Sequence, residues 1–188
     1  YIAIMDSDDI CLKDRITQSY EFLKKNKEYA LVAGRSNTIN EKGKLIRVRK
    51  FTHNPDLINC RIFVDNPISH TTIMFKKQII KKLGGYSRNL KFAQDFDLVS
   101  KLLLNKHKIK ILNKHFTLVR KHKNQQSFKN TKKQDIERHN IVLKNIKRKI
   151  KLNIFSKSLI KFIILRKDKK FENFSLKIQI KIFHEFLK

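Results

Sequence analysis

Residues 1–5, "YIAIM", form an apolar run with no polar alternation, which predicts a strand buried on both faces of a parallel sheet. From Leu12 to Lys25, Ile16, Tyr20 and Leu23 recur at helical spacing and predict an amphipathic helix, with Asp9 in a position to cap it. "ALVAG", Ala30 to Gly34, predicts a second buried strand, and "NEKGK", Asn40 to Lys44, a turn in which Gly43 can take positive φ. "TTIMF", Thr71 to Phe75, predicts a third strand, followed by a helix through Leu83 that Gly84 and Gly85 would stop. Phe96, Val99 and Leu103 share one face of a helix predicted from about Asp95 to Leu104, and "KIKILN" alternates as a further strand. Strand and helix patterns thus interchange over residues 1–120, which indicates an α/β layer fold.

From about Ser127 the character changes. Gly and Pro vanish, and about 18 Lys and Arg stand against about 5 Asp and Glu. Ile, Leu and Phe recur at mixed three- and four-residue steps in "SKSLIKFIIL" and "SLKIQIKIFHEFL". The expected organisation is a domain over residues 1–128 and a basic amphipathic helical region over 129–188.

The 188 residues suffice for one domain, and 40% hydrophobic content with 14 Phe can fill its core. Four Gly and two Pro exclude collagen and low-complexity linkers. Cys11 and Cys60 show no CxxC spacing and are expected to be buried thiols in a reducing cytoplasm. No stretch approaches the roughly 18–20 apolar residues of a membrane-spanning helix. No secretory signal is visible, although Tyr1 is not a natural start.

A formal net charge of +28 suggests a polyanionic partner: nucleic acid, anionic lipid or a phosphorylated substrate. The even spread of Lys fits the composition of an AT-rich coding sequence equally well. Against nucleic acid, there are no stacked aromatics at RNP-like spacing, no zinc-finger spacing and no helix-turn-helix pattern. A basic nucleic-acid-binding protein or membrane-surface adaptor without catalysis is the alternative to an enzyme.

In this basic chain, Asp6, Asp8 and Asp9 gather where the first apolar run ends. In open parallel sheets ligands bind beyond the carboxyl ends of strands. Two carboxylates spaced i and i+2 there can converge on one divalent cation of the Mg²⁺ or Mn²⁺ type, which also takes diphosphate oxygens. A bare DxD serves as well as a solvated turn and helix cap.

"YIAIMDSDDICLKDRITQSYEFLKKN" resembles the segment around the DxD motif of family 2 glycosyltransferases with the GT-A fold. "NPISHTTIMFKK", "KKLGGYSRNLKFAQDFDLVSKLL" and "LVRKHKNQQS" resemble that family's following blocks, in the same order, so that the resemblance covers roughly residues 1–128. It implies an α/β nucleotide-diphospho-sugar transferase sandwich whose N-terminal nucleotide-binding strands would precede Tyr1. The chain is expected to be a portion of a longer enzyme, and the DxD strand to lack its neighbours.

The implied activity is transfer of a sugar, with inversion, from a UDP- or other NDP-sugar to a hydroxyl of a glycan or lipid-linked acceptor. Bacterial cell-surface polysaccharide or lipopolysaccharide is the implied destination. The implied cofactor is Mg²⁺ or Mn²⁺, held by Asp8 with support from Asp6, which also serves the donor's ribose. Asp9 is either a third acid or the cap of the following helix. Asp95 in "FAQDFDLVSKLL" matches the family's general base, where the residues alone would also allow a helix cap. Gln94 stands where the family commonly has glutamate, and Asp97 is expected at the surface. His70 matches a histidine near the pocket floor. Arg120 and His122 match a loop that can close over the diphosphate, Arg120 on phosphate oxygens and His122 on the cation. The basic region 129–188 is expected to bind the anionic inner face of the cytoplasmic membrane peripherally.

Overall fold

A computed structural model describes residues 1–48, 54–123, 125 and 129–149. Its order is β1 (Ile2–Ala3), β2 (Ile10–Cys11), α1 (Arg15–Lys25), β3 (Tyr29–Ile39), β4 (Leu45–Val48), α2 (Pro55–Arg61), a 3-10 turn (His70–Thr72) and β5 (Met74–Phe75). Then come α3 (Lys77–Lys82), α4 (Gln94–Leu104), β6 (Lys108–Arg120) and α5 (Thr131–Lys149).

The six strands form one mixed sheet in the order β1-β5-β3-β6-β2, with β4 also on β3. Among the described residues only β3 and β6 pair in parallel; the other pairings are antiparallel. β1 and β2 therefore lie at opposite edges of the sheet, and residues 4–9 cross its end between them. That end is where β3 and β6 finish, at Ile39 and Arg120.

The core lies between the sheet and α2, α4 and α5, around Leu31, Ile73, Phe96, Leu98, Leu102 and Ile111. Burying each such side chain contributes about 1.5–3 kcal/mol. A close backbone approach occurs at Gly34. A Cβ there would lie 2.3 Å from the ring of buried Phe116 and 2.9 Å from the Lys114 carbonyl oxygen.

Several expectations change. β1 is a two-residue antiparallel edge strand, not a buried parallel one, and Tyr1, Ile2 and Met5 are exposed. In "TTIMF" Thr71 and Thr72 belong to the 3-10 turn, and only Met74 and Phe75 are strand. α1 starts at Arg15, six residues after Asp9, so Asp9 does not cap it; Asp14, at φ 64°, precedes the first turn without a side-chain cap. Cys11 is exposed because the short β2 pairs at the sheet edge. The side chain of Cys60 lies outside the described residues.

Asp97 is 3% exposed rather than on the surface, because α5 covers that side of α4. Its carboxylate accepts the Ser87 hydroxyl at 2.5 Å and pairs with Lys101 at 2.8 Å and Lys144 at 3.8 Å. In the basic region, α5 places Ile141, Val142 and Ile146 in the core. Residues 150–188, where most of the expected amphipathic pattern falls, lie outside the described residues. Among the described residues no helix is long and apolar enough to cross a membrane.

Candidate functional site

Residues 4–9 are fixed from below by Arg15, a residue only 2% exposed. It donates to the carbonyl of Ile4, to that of Ile73 at 3.4 Å and to the sulfur of Met5 at 3.0 Å. The far side is fixed by Arg120, whose backbone N–H donates to Asp9 Oδ1 at 2.9 Å. Its guanidinium donates to the carbonyls of Asp8 (3.0 Å), Asn40 (3.2 Å) and Glu41 (2.8 Å). Arg120 is thus committed to backbone and bolts the acidic loop to the β3–β4 turn, a different placement from the expected contact with phosphate.

Asp6, Asp8, Asp9, His70, Gln94, Asp95 and His122 all line one cavity of about 800 Å³, together with Lys91, Phe92, Gln125 and Gln134. It opens beyond the carboxyl ends of β3 and β6, where ligands bind in open α/β sheets. A separate apolar cavity of about 630 Å³, beside α2 and the start of β6, contains none of these residues.

The acids differ in environment. His122 Nε2 lies 2.9 Å from Asp8 Oδ2, and Gln125 Nε2 donates to the same oxygen at 3.4 Å. Burial opposes the charge on Asp8, but these bonds and one from its own backbone N–H outweigh it and hold its carboxyl below the usual range. Burial pushes Asp6 up; His70 offsets this in part, while Asp8 and Asp95 add to it. Asp9 is also raised by burial, against bonds from the Arg120 N–H and the Thr71 hydroxyl.

Among the described residues, no three or more His, Cys, Asp or Glu side chains are arranged as a closed metal site. Asp8 and His122 nonetheless meet at one point. The carboxylate is the kind of oxygen donor that a hard cation takes, and the imidazole is a softer nitrogen ligand.

Asp95 is the second residue of α4. The residue before the helix is Ala93, and no side chain caps it. Asp95 Oδ2 instead accepts Asn66 Nδ2 at 2.8 Å, which leaves the carboxylate facing the cavity rather than the helix end. Gln94 lines the cavity and donates to the Leu90 carbonyl at 2.7 Å. His70 Nε2 meets the Tyr86 hydroxyl at 2.9 Å. Burial, with Asp95 and Asp6 nearby, pushes Tyr86 up to about 12.

Sequence reasoning did not single out Asn66, Tyr86, Gln125, Gln134 or Glu137. The first three lie inside the stretches that carry the family resemblance, which was the available signal. The last two lie in α5, within what reads as a basic tail.

Set against known proteins, the chain is 35% identical over 102 residues to the O-antigen biosynthesis glycosyltransferase WbnJ of Escherichia coli, covering 54% of this chain and 39% of the relative. The likeness is to glycosyltransferases. An uncharacterized glycosyltransferase of Methanocaldococcus jannaschii is 29% identical over 113 residues, covering 60% and 39%. The amylovoran biosynthesis glycosyltransferase AmsE of Erwinia amylovora is 25% identical over 108 residues, covering 57% and 40%. The chain therefore spans about two fifths of the length of these relatives. No protein-family model matches it. Among solved structures, S. aureus TarS in complex with UDP-GlcNAc aligns with a TM-score of 0.58 at 18% identity, over 94% of this chain and 53% of that one. At that identity the likeness is one of fold, and the mixed sheet is that of a partial GT-A-like sandwich.

Proposed function

We propose that this chain carries the acid-bearing part of a glycosyltransferase site that moves a sugar from a nucleotide-sugar to an acceptor hydroxyl. The destination proposed is cell-surface polysaccharide or lipopolysaccharide. The observation that carries the reading is the convergence of Asp6, Asp8, His122 and Asp95 on one cavity from parts of the chain up to 116 residues apart. The names of the relatives support the reaction class and the destination. A UDP-sugar is the proposed donor type, by likeness to a fold that holds UDP-GlcNAc in TarS.

In this reading Asp8 and His122 would hold Mg²⁺ or Mn²⁺, with Asp6 beside them, and the ion would neutralise charge on the departing diphosphate. Asp95, oriented by Asn66, takes the proton of the acceptor hydroxyl as that oxygen attacks the anomeric carbon, which gives inversion in a single displacement. His70, held by Tyr86, and Gln94 line the acceptor side. Arg120 keeps the acidic loop in register. Lys-rich residues beyond α5 would draw the enzyme to the anionic inner face of the cytoplasmic membrane, near lipid-linked acceptors.

The test is nucleoside diphosphate release by the protein containing this chain, with a panel of UDP-, GDP- and dTDP-sugars and lipid-linked acceptors. Release that depends on acceptor, with product of inverted anomeric configuration by NMR, is expected. No release with any donor, alongside tight binding of nucleic acid, would overturn the reading in favour of the binding-protein alternative.

A further inference from the structure

α5 belongs to a segment with more than three basic residues for each acidic one, yet one of its few acids makes a specific contact. The Glu137 carboxylate accepts three successive backbone N–H groups, from Lys91 at 3.0 Å, Phe92 at 2.8 Å and Ala93 at 2.9 Å. One turn earlier, Gln134 Nε2 donates to the Phe92 carbonyl at 3.0 Å. Lys91 and Phe92 are wall residues of the acidic cavity. Ala93 is the last residue before α4, and its carbonyl accepts the Asp97 N–H at 3.1 Å, closing the first turn around Asp95.

The next residue of α5 opens a second route. Arg138 binds Asp65 Oδ1, which also accepts the Asn66 N–H at 2.5 Å, and Asn66 holds the Asp95 carboxylate. One helix therefore reaches Asp95 both through the backbone that leads into it and through the side chain that binds it. Anchoring the helix does not require these contacts, because Ile141, Val142 and Ile146 already bury its next two turns.

We propose that α5 is a latch that aims the base, with Glu137 and Arg138 as positioning residues for Asp95. This rests on the reading of Asp95 as the general base. A carboxylate suits the task because it alone can accept three N–H groups at once; an amide offers one acceptor oxygen and turns two N–H groups toward the donors.

The experiment compares Glu137→Gln with the packing control Ile141→Val in the full-length protein. Hydrogen exchange at residues 91–93 should quicken about 10-fold or more in Glu137→Gln, the loss of one charge-assisted bond, and stay unchanged in Ile141→Val. With UDP-GlcNAc as the donor probe, Glu137→Gln should lower kcat about 10-fold with donor KM kept within about 2-fold. Glu137→Asp should recover part of that kcat. A role confined to stability would lower melting temperature in both variants and leave exchange at 91–93 alike, which overturns the proposal, as would a change in KM alone. If Glu137→Gln does not fold, Gln134→Leu must show the same exchange pattern at reduced size, and its absence overturns the latch. A wild-type protein that releases no UDP would count against the transferase reading; the exchange data would still decide the latch.

Discussion

Replacing Asp95 by Asn separates a catalytic carboxylate from a structural one, because the two roles predict effects of different size on different measurements. The structural terms are small. Asp95 makes no cap bond, since Ala93 precedes the helix without a side-chain cap. Losing a charge in the first turn of α4 costs about 0.3–1 kcal/mol through the helix dipole. Weakening the 2.8 Å bond from Asn66 from charge-assisted to neutral costs about 1 kcal/mol more, and the Asn amide oxygen can still accept it. Stability should therefore fall by no more than about 2 kcal/mol. A positioned base contributes about 10²–10⁴-fold to rate, which is about 3–5 kcal/mol of barrier. Transfer should drop by that factor while nucleotide binding is kept. The assay pairs diphosphate release with urea denaturation of the same preparation. Near-wild-type transfer together with a loss of stability would refute the argument and leave Asp95 a structural residue.

Four further outcomes follow from the same geometry. Chelation with EDTA should abolish turnover and Mn²⁺ or Mg²⁺ restore it, whereas Asp8→Ala should stay inactive with either ion; full activity in EDTA would remove the metal assignment. Gly34→Ala should destabilise the fold by about 1–3 kcal/mol in chemical denaturation, since a Cβ 2.3 Å from Phe116 and 2.9 Å from a carbonyl has no room; an unchanged midpoint would contradict the packing. Burial opposes the charge of Glu137, but its three N–H bonds hold the carboxyl below its ordinary 4.5, so its contribution is full above that value and lost as pH falls through the lowered one. Exchange at 91–93, normalised for intrinsic rates, should rise across that acid window in wild type and not in Glu137→Gln. The full-length protein should pellet with anionic vesicles and less so with rising salt; equal pelleting with neutral vesicles would sink the electrostatic anchor.

The parts of the fold legible in the sequence were those whose side chains divide cleanly between inside and outside. α4 is the clearest case, with Phe96 and Val99 buried at helical spacing. β3 and β6 were found only in their apolar halves, because Ser36 and Thr117 are polar yet fully buried where the strands run on to the site. Asp97 was misplaced, and the buried Arg15 passed unremarked, for a related reason. A charge can be buried when its partners are, and those partners, the Ile4 and Ile73 carbonyls for Arg15 and Ser87, Lys101 and Lys144 for Asp97, are scattered along the chain. Hydropathy at one position cannot register an ion pair with another.

The candidate site shows the same division. Asp6, Asp8, Asp95 and His122 were legible because their residue types carry chemistry and the surrounding blocks resemble a known order. Their neighbours were not, since Asn66 beside Asp95, Tyr86 beside His70 and Glu137 at the head of α4 are ordinary residues until the fold brings them near. Glu137 makes the point most directly. In sequence it is one acid among many lysines, and the surplus of positive charge reads as a surface for a membrane. In the fold it meets three backbone N–H groups at the head of the helix that carries Asp95. A segment can therefore be basic on average and still reach the site through one of its few acids, because binding a surface depends on summed charge, whereas holding a backbone turn depends on where one carboxylate lies.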